Sequence, residues 1–310
     1  MKAIADLRGV IPPMITPFRD DDRLDDPALA EEARFLQRSG VSGMVVGGSM
    51  GEGAGMSEQE LAEATRIVVE AVEGALPVLA GVIADTSAEA IRLGIAAREA
   101  GASGLQIPPP HFSFSTETRI LTEYYRAIGE SVGLPMIVYN VIPWAQAALE
   151  SLQELIDDNP SICGVKQSGR NSHTLTALTP MMRGLVRIYS AIDDMIYPSF
   201  LLGVDGTISG TSCIFPRETV EMYRAVCDGN YDDAMALHRR VTPVWRTIDH
   251  PNFPTRAKYA IHLSGRHAGK ARKPFSDLTR SAAHSIESAL FASGFGNRTM
   301  EVGSDVAGKE

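Results

Sequence analysis

The chain has 310 residues, of which 44 % are hydrophobic and 22 % are charged, proportions typical of folded globular proteins that exclude global disorder. The formal net charge is −9 and no basic run is present, so nucleic acids and anionic membranes are poor partner candidates. The N-terminal segment lacks a signal peptide's unbroken apolar stretch, and no apolar run is long enough to span a membrane. We therefore expect a cytoplasmic protein that binds small molecules.

The predicted strands are short, continuously apolar and rich in β-branched residues, with turn signals on both sides. Helix-like segments, such as residues 26–37, 57–72 and 87–100, separate them. Continuous apolar runs are typical of parallel strands that helices cover on both faces. Eight strands spaced by about one βα unit predict an α/β fold, a (β/α)8 TIM barrel. The predicted strands lie near residue 10 and at 44–47, 77–83, 103–107, 134–139, 162–166, 186–191 and 204–209.

Helical patterns continue beyond the eighth strand, at residues 216–227, 231–248, 254–263 and 276–291. A barrel needs only one of these helices, so the others predict additional C-terminal helices that pack on the barrel or on another subunit. We assign residues 1–215 to the barrel core and 216–292 to its last helix and the C-terminal helical extension. The Gly-rich polar tail, 293–310, is predicted to fray.

Lys166 is the first candidate catalytic residue. It closes an apolar strand, and TIM barrels carry their functional side chains at the carboxyl ends of strands. Enclosure favours the neutral form of an amine, which is the nucleophile that forms a Schiff base with a ketone. The alternatives are a lysine whose tip reaches solvent and one that pairs with a carboxylate. Position alone does not choose between these interpretations.

Tyr139 ends the preceding strand, so the barrel should place it beside Lys166. A phenol at that point can transfer protons while the imine forms. The alternative is a core tyrosine whose hydroxyl binds a backbone group.

A Gly-rich loop, residues 47–55, follows the second strand and contains Ser49. Its backbone N–H groups and the Ser49 hydroxyl could bind the carboxylate of a keto acid. The glycines could instead only allow close packing of strand and helix. Gly47, Ser49 and Gly51 also match the G-x-S-x-G motif of serine hydrolases. That alternative is remote, because the histidines at 250, 262 and 267 all fall in the C-terminal helical region.

Other motifs are weaker. The seven histidines show no metal-binding pairing at a strand end, and no complete dinucleotide-binding or P-loop motif is present, so no metal site and no cofactor are predicted. The three cysteines, an odd number without paired spacing, fit a reducing compartment. Asp193 and Asp194 follow the seventh strand and could bind substrate hydroxyls. A solvated loop or a helix cap explains the two aspartates equally well.

Together these motifs resemble the family of dihydrodipicolinate synthase and N-acetylneuraminate lyase, pyruvate-dependent class I aldolases built on a (β/α)8 barrel. The resemblance covers most of the chain, and several motifs occur in the family's order. They are Gly9-Val10, Thr16-Pro17-Phe18, Gly48-Ser49-Met50-Gly51-Glu52, Leu134-Pro135, Tyr139-Asn140-Val141, Gly164-Val165-Lys166, Gly206-Thr207-Ile208-Ser209, Pro254 to Lys258 and Lys273-Pro274.

The resemblance implies that Lys166 is the Schiff-base lysine and Tyr139 the proton-transferring phenol. Ser49, with Gly48 and the Met50 backbone, would hold the substrate carboxylate, and the Ile208 carbonyl would lie close to the bound keto acid. The sequence around Ser168 and the pair Asp193 and Asp194 resembles the lyase branch of the family more than the synthase branch. These three residues are further candidates for substrate binding. The resemblance also implies a homo-oligomer, a tetramer or a dimer.

Several positions depart from the family pattern. Residues 142–145 read Ile-Pro-Trp-Ala, with no arginine to hold a second carboxylate, which argues against the synthase reaction. Residues 110–114 lack the tyrosine that the family often lends across a subunit interface. Met50 replaces a hydroxyl residue, and Ile192 stands where glycine is usual. The substrate tail should therefore differ from both familiar ones.

We predict a metal-independent lyase that forms an imine between Lys166 and pyruvate or a related 2-oxo acid. Aldol cleavage or condensation, with an aldehyde as the second partner, is the favoured reaction. Alternatives are dehydration or deamination of a 2-oxo sugar acid through the same imine, and the dihydrodipicolinate synthase reaction itself. Remote alternatives are a non-catalytic keto-acid receptor and a serine hydrolase acting through Ser49.

Overall fold

The computed structural model describes residues 4–111, 117–169 and 172–295. Within these residues eight parallel strands form one sheet, in which each strand from the second to the seventh pairs with the next along the chain and the eighth pairs with the first. This is the predicted (β/α)8 barrel. The strands are β1 (Gly9–Val10), β2 (Met44–Val46), β3 (Val78–Gly81), β4 (Gly104–Ile107), β5 (Met136–Asn140), β6 (Ile162–Gln167), β7 (Arg187–Ser190) and β8 (Gly206–Thr207).

Helices alternate with the strands and continue after β8, as predicted. Those of the barrel include α1 (Asp26–Arg38), α2 (Glu58–Ala71), α3 (Ser87–Glu99), α4 (Thr118–Val132), α5 (Leu149–Asp158), α6 (Ser172–Met181), α7 (Ile196–Leu201), α8 (Thr211–Ile214) and α9 (Pro216–Cys227). The C-terminal extension contains α10 (Tyr231–Ile248), α11 (Phe253–Leu263) and α12 (Arg280–Ala292). Most of the tail predicted to fray, 296–310, lies outside the described residues.

The barrel closes between β1 and β2 without a regular ladder. Pro13 forms an isolated parallel bridge with Val45, and the Val45 N–H donates to the Pro12 carbonyl at 2.9 Å. The two prolines after β1 have no N–H to donate, so a longer ladder cannot form there.

The strands are buried on both faces, which explains why their sequences are continuously apolar. All four residues of β3 and all five of β5 are buried. Inside the barrel, below its carboxyl-terminal mouth, Leu79, Ile137 and Tyr189 belong to one apolar cluster. The Tyr189 hydroxyl donates to the Leu7 carbonyl at 2.8 Å. The described residues therefore fill the barrel interior below the mouth, so a ligand inside the barrel would lie at the mouth.

Local capping signals set where several helices begin. Ser57 and Glu60 form a reciprocal capping box at the start of α2, and the Thr86 hydroxyl caps α3 by accepting from the Glu89 N–H. Each cap satisfies N–H groups that the first helical turn leaves free. Among the described residues, none of the helices combines the length and apolar character needed to cross a bilayer.

Candidate active site

The amine of Lys166 lies inside the barrel mouth, beside Tyr139. The two residues are direct partners in the register between β5 and β6, so their side chains leave the sheet on the same side. The Lys166 Nζ lies 4.0 Å from the centroid of the Tyr139 ring, and the residues are only 4 % and 5 % exposed. Within the described part of the chain Lys166 forms no ion pair. The structure thus favours the enclosed amine over a solvated or carboxylate-paired one.

The hydroxyl of Tyr139 shares a hydrogen bond of 2.8 Å with the Ser49 hydroxyl. Ser49 begins a 3₁₀ turn, Ser49–Gly51, in the loop after β2. Tyr139 is therefore not a core tyrosine that satisfies its hydroxyl on the backbone. The partner of Ser49 is a phenol, whereas a serine hydrolase needs a general base such as histidine at that point. Ser49, Tyr139 and Lys166 form one contiguous group.

A cavity of about 520 Å³ opens above this group. Seven of the nine predicted site residues line it, while Gly48 and Asp194 are not among the described residues in its wall. Such a volume suits a small-molecule ligand. The seven are Ser49, Met50, Tyr139, Lys166, Ser168, Asp193 and Ile208.

Gly48 and Asp194 are each adjacent in sequence to a residue that lines the cavity, and each makes contacts outside it. The Gly48 carbonyl accepts the N–H groups of Gly51 and Gly53 at 3.0 and 3.1 Å, so it shapes the turn that carries Ser49. Burial lowers the pKa of the His238 imidazole, and the nearby charge of Asp194 partly offsets that decrease.

Close packing accounts for two glycines of the loop after β2. Gly47 has a φ of +70°, in the left-handed region that favours glycine. A Cβ on Gly53 would lie 1.7 Å from the Gly47 carbonyl oxygen, so no other residue fits. The packing interpretation thus explains Gly47 and Gly53, whereas Ser49 faces the cavity.

Asp193 faces the same cavity with an altered acidity. Its Oδ1 accepts the Thr211 N–H at 2.6 Å. Burial raises the pKa of this carboxyl to about 7, although the Thr211 hydrogen bond and the nearby charge of Lys166 oppose the rise. Near neutral pH both protonation states are populated, so Asp193 can accept or donate a hydrogen bond.

Part of the cavity wall comes from the C-terminal extension, which sequence reasoning missed. Trp245 of α10, Asp249 just after it and Phe253 of α11 line the cavity. Trp245 packs against the bare backbone of Gly210, where a Cβ would lie 2.4 Å from the ring. Gly210, directly after the β8 region, was the available signal in the sequence. No local pattern predicts its contact with a tryptophan 35 positions later.

The loop after β5 supplies another aromatic wall. Trp144 lines the cavity and donates from Nε1 to the His111 carbonyl at 3.1 Å. The described residues that line the cavity include no arginine, and their one lysine is Lys166. Residues 110–114 lack the interface tyrosine of the family, and 112–114 lie outside the described residues.

Comparison with known proteins gives a consistent assignment. The model of the Dihydrodipicolinate synthetase family matches residues 6–293. The chain is 33 % identical to the 4-hydroxy-tetrahydrodipicolinate synthase of Methanosphaerula palustris over 274 residues, which is 87 % of this chain and 94 % of that protein.

Solved structures are similar over the same extent. One is a dihydrodipicolinate synthase, with a TM-score of 0.86 and 28 % identity, covering 93 % of this chain and 99 % of that one. Another is a prophage protein of E. coli K12 from the dihydrodipicolinic acid synthase family, in complex with pyruvate. It has a TM-score of 0.86 and 27 % identity, and the match covers 92 % of this chain and 98 % of that one.

Proposed function

The chain belongs to the dihydrodipicolinate synthetase family and is a lyase of its class I aldolase type, and on that premise we propose that Lys166 forms a Schiff base with pyruvate or a related 2-oxo acid. The observation that carries this proposal is the enclosed Lys166 amine, 4.0 Å from the ring centre of a tyrosine whose hydroxyl binds Ser49. The pyruvate bound to the E. coli relative supports the choice of ligand.

The reaction follows from the position of the amine. The Lys166 Nζ attacks the ketone carbon, and loss of water from the carbinolamine leaves a protonated imine. The imine nitrogen accepts the electron pair released when a proton leaves the adjacent carbon, which forms an enamine. The enamine carbon then attacks an aldehyde, and hydrolysis of the imine returns the free lysine. Read backwards, the same steps cleave a carbon–carbon bond.

Tyr139 and Ser49 are proposed to serve this chemistry in different ways. The phenol transfers the proton that the carbinolamine hydroxyl needs to leave as water. Its 2.8 Å hydrogen bond to Ser49 orients it and offers a path for that proton. The Ser49 hydroxyl and the Met50 backbone are proposed to hold the substrate carboxylate, as the family resemblance implies.

The rest of the cavity favours a substrate tail without a second carboxylate. Asp193 and Asp249 lie in its wall, and no arginine of the described lining residues balances them. Asp249 and the ionised fraction of Asp193 would repel a second carboxylate in a partly desolvated space. Trp144, Trp245 and Phe253 add apolar surface that a neutral tail can cover. We therefore favour aldol cleavage or condensation with an uncharged aldehyde.

Dehydration of a hydroxylated 2-oxo acid through the same imine is the second candidate. Asp193 favours it, because a carboxyl with a pKa of about 7 can protonate a departing hydroxide near neutral pH.

Deuterium exchange into pyruvate tests the proposed imine without knowledge of the aldehyde. Enamine formation in D₂O replaces the methyl protons of pyruvate, which proton NMR follows directly. We expect the protein to accelerate exchange and Lys166→Arg, which keeps a positive charge, to lose the acceleration. A protein that does not exceed the buffer rate, or a variant that does, would contradict the proposal.

An aldehyde panel tests the proposed tail. With pyruvate as donor, neutral hydroxylated and aromatic aldehydes should react faster than aldehydes that bear a carboxylate. Asp249→Asn should reduce the difference in rate between neutral and carboxylated aldehydes, because it removes a repelling charge. A preference for the carboxylated aldehyde would show that the cavity wall does not set the specificity.

A further inference from the structure

A buried ion pair joins the C-terminal extension to the turn that carries Ser49. The Lys258 Nζ of α11 lies 2.6 Å from the Glu52 Oε1, and both side chains are 3 % exposed. Neither residue lines the cavity, so the pair is not part of the wall that a substrate contacts. Glu52 follows the 3₁₀ turn Ser49–Gly51 directly.

Three further contacts hold this pair, two from the segment after α11 and one from Phe18. The second carboxylate oxygen of Glu52 accepts the Arg272 N–H at 2.8 Å. The Lys258 ammonium also donates to the Lys270 carbonyl at 2.6 Å and lies 4.7 Å from the centre of the Phe18 ring. Both oxygens of the carboxylate and the ammonium therefore have fixed partners, which a buried pair needs to be stable.

Glu52 has a backbone conformation that glutamate seldom adopts. Its φ of +59° and ψ of +30° lie in the left-handed region, which glycine adopts easily and glutamate does not. Such strain persists where the surroundings over-determine the conformation. Here the side chain of Glu52, held by Lys258 and the Arg272 N–H, supplies that constraint.

The turn transmits the position of Glu52 to Ser49. The Glu52 N–H donates to the Ser49 carbonyl at 3.2 Å. A Cβ on Gly51 would lie 2.9 Å from the Met14 carbonyl, so the turn also packs closely against the segment after β1. The turn is therefore packed against the segment after β1 and linked, through Glu52, to α11.

We propose that Lys258 is a positioning residue, which holds the Ser49–Met50 turn through Glu52 so that the turn can bind the carboxylate of the 2-oxo acid. This inference rests on the proposed function of that turn. It assigns a role in substrate binding to the C-terminal extension, although Lys258 itself touches no substrate.

The rate of borohydride trapping of the imine, measured against pyruvate concentration, tests this role. Lys258→Met removes the ammonium and keeps an unbranched chain. We expect its half-saturating pyruvate concentration to rise at least about tenfold, as loss of a carboxylate contact predicts, with the limiting rate changed less than about threefold. An unchanged half-saturating concentration in the folded variant would overturn the proposal.

A double variant, Glu52→Gln with Lys258→Met, separates positioning from folding. It removes both charges, so the buried carboxylate is no longer left alone and the Tm should recover toward the wild-type value. Because the ion pair to α11 is still missing, the half-saturating pyruvate concentration should stay above the wild-type value. Recovery of both quantities together would show that the pair acts only through stability, which contradicts the proposal.

Glu32→Gln is the matched control. Glu32 and Arg266 form another buried ion pair, 2.9 Å apart with side chains 1 % and 8 % exposed. The control should lower the Tm and leave the half-saturating pyruvate concentration unchanged. If that concentration rose as much as in Lys258→Met, a specific role for Lys258 would be refuted. Wild-type protein that traps no pyruvate would refute the proposed function instead.

Discussion

The position of one amine is fixed by the alternation of side chains along β6. Lys166 and Tyr139 share a register position, so the ring and the amine face the same side of the sheet. The sequence predicted this neighbourhood because both residues end apolar strands. It could not predict that the Tyr139 hydroxyl binds Ser49, since that contact depends on the loop after β2, 90 positions away.

Tyr139→Phe should separate the ring from the hydroxyl. The ring beside the Lys166 amine remains, while the proton-transferring group and its bond to Ser49 are lost. We expect the rate of imine formation with pyruvate to fall by roughly 10²-fold to 10⁴-fold, the usual contribution of general acid–base catalysis. Circular dichroism should show an unchanged fold. Activity within about twofold of wild type would contradict the assigned role.

Asp193 predicts a pH dependence of stability. Its pKa is raised from 3.8 to about 7 in the folded protein, so the folded state binds more protons than the unfolded state between these values. The stabilising contribution is full below the unfolded pKa and is lost as the pH rises through the folded pKa.

Asp193→Asn keeps an acceptor for the Thr211 N–H and cannot ionise. The Tm of wild type minus that of the variant should therefore fall between about pH 4 and pH 7 and level off above this range. Thermal unfolding of both proteins over that range measures the difference. A constant difference across the range would show that Asp193 does not titrate as described.

At the scale of elements, the sequence predicted the barrel well because each strand and helix carries a local signal. Apolar runs marked the strands, and the helix predicted at residues 57–72 begins at Ser57, which caps α2 in the structure. The missed feature was the approach of α10 to the barrel mouth. It depends on Trp245 fitting over Gly210, a contact between distant segments that leaves no periodic pattern.

Gly210→Ala should displace Trp245, because the new Cβ would lie 2.4 Å from the indole ring. Overpacking of this kind lowers the free energy of unfolding by about 1–3 kcal/mol. Trp245 fluorescence, read in a Trp144→Phe background, should shift at the same time. Gly55→Ala is the matched control, since nothing lies within 4 Å of its added Cβ, and should change stability by less than about 0.5 kcal/mol. Equal effects of the two substitutions would contradict this packing.

At the scale of the whole molecule, the homo-oligomer stays a prediction. Exposed large apolar side chains include Leu185, Leu201 and Leu202, and exposed apolar surface often marks an interface between subunits. Light scattering on the purified protein should give the mass of a dimer or a tetramer. The mass of a single chain at micromolar concentration would contradict the prediction.

The barrel, its C-terminal helices and the cavity serve one proposed event, the condensation of the Lys166 amine with a ketone. Borohydride reduction in the presence of pyruvate, followed by peptide mass mapping, tests that event most directly. We expect a single reduced adduct, on the peptide that contains Lys166, and none when that residue is replaced by arginine. An adduct on another lysine, or no adduct with pyruvate or any related 2-oxo acid, would contradict it.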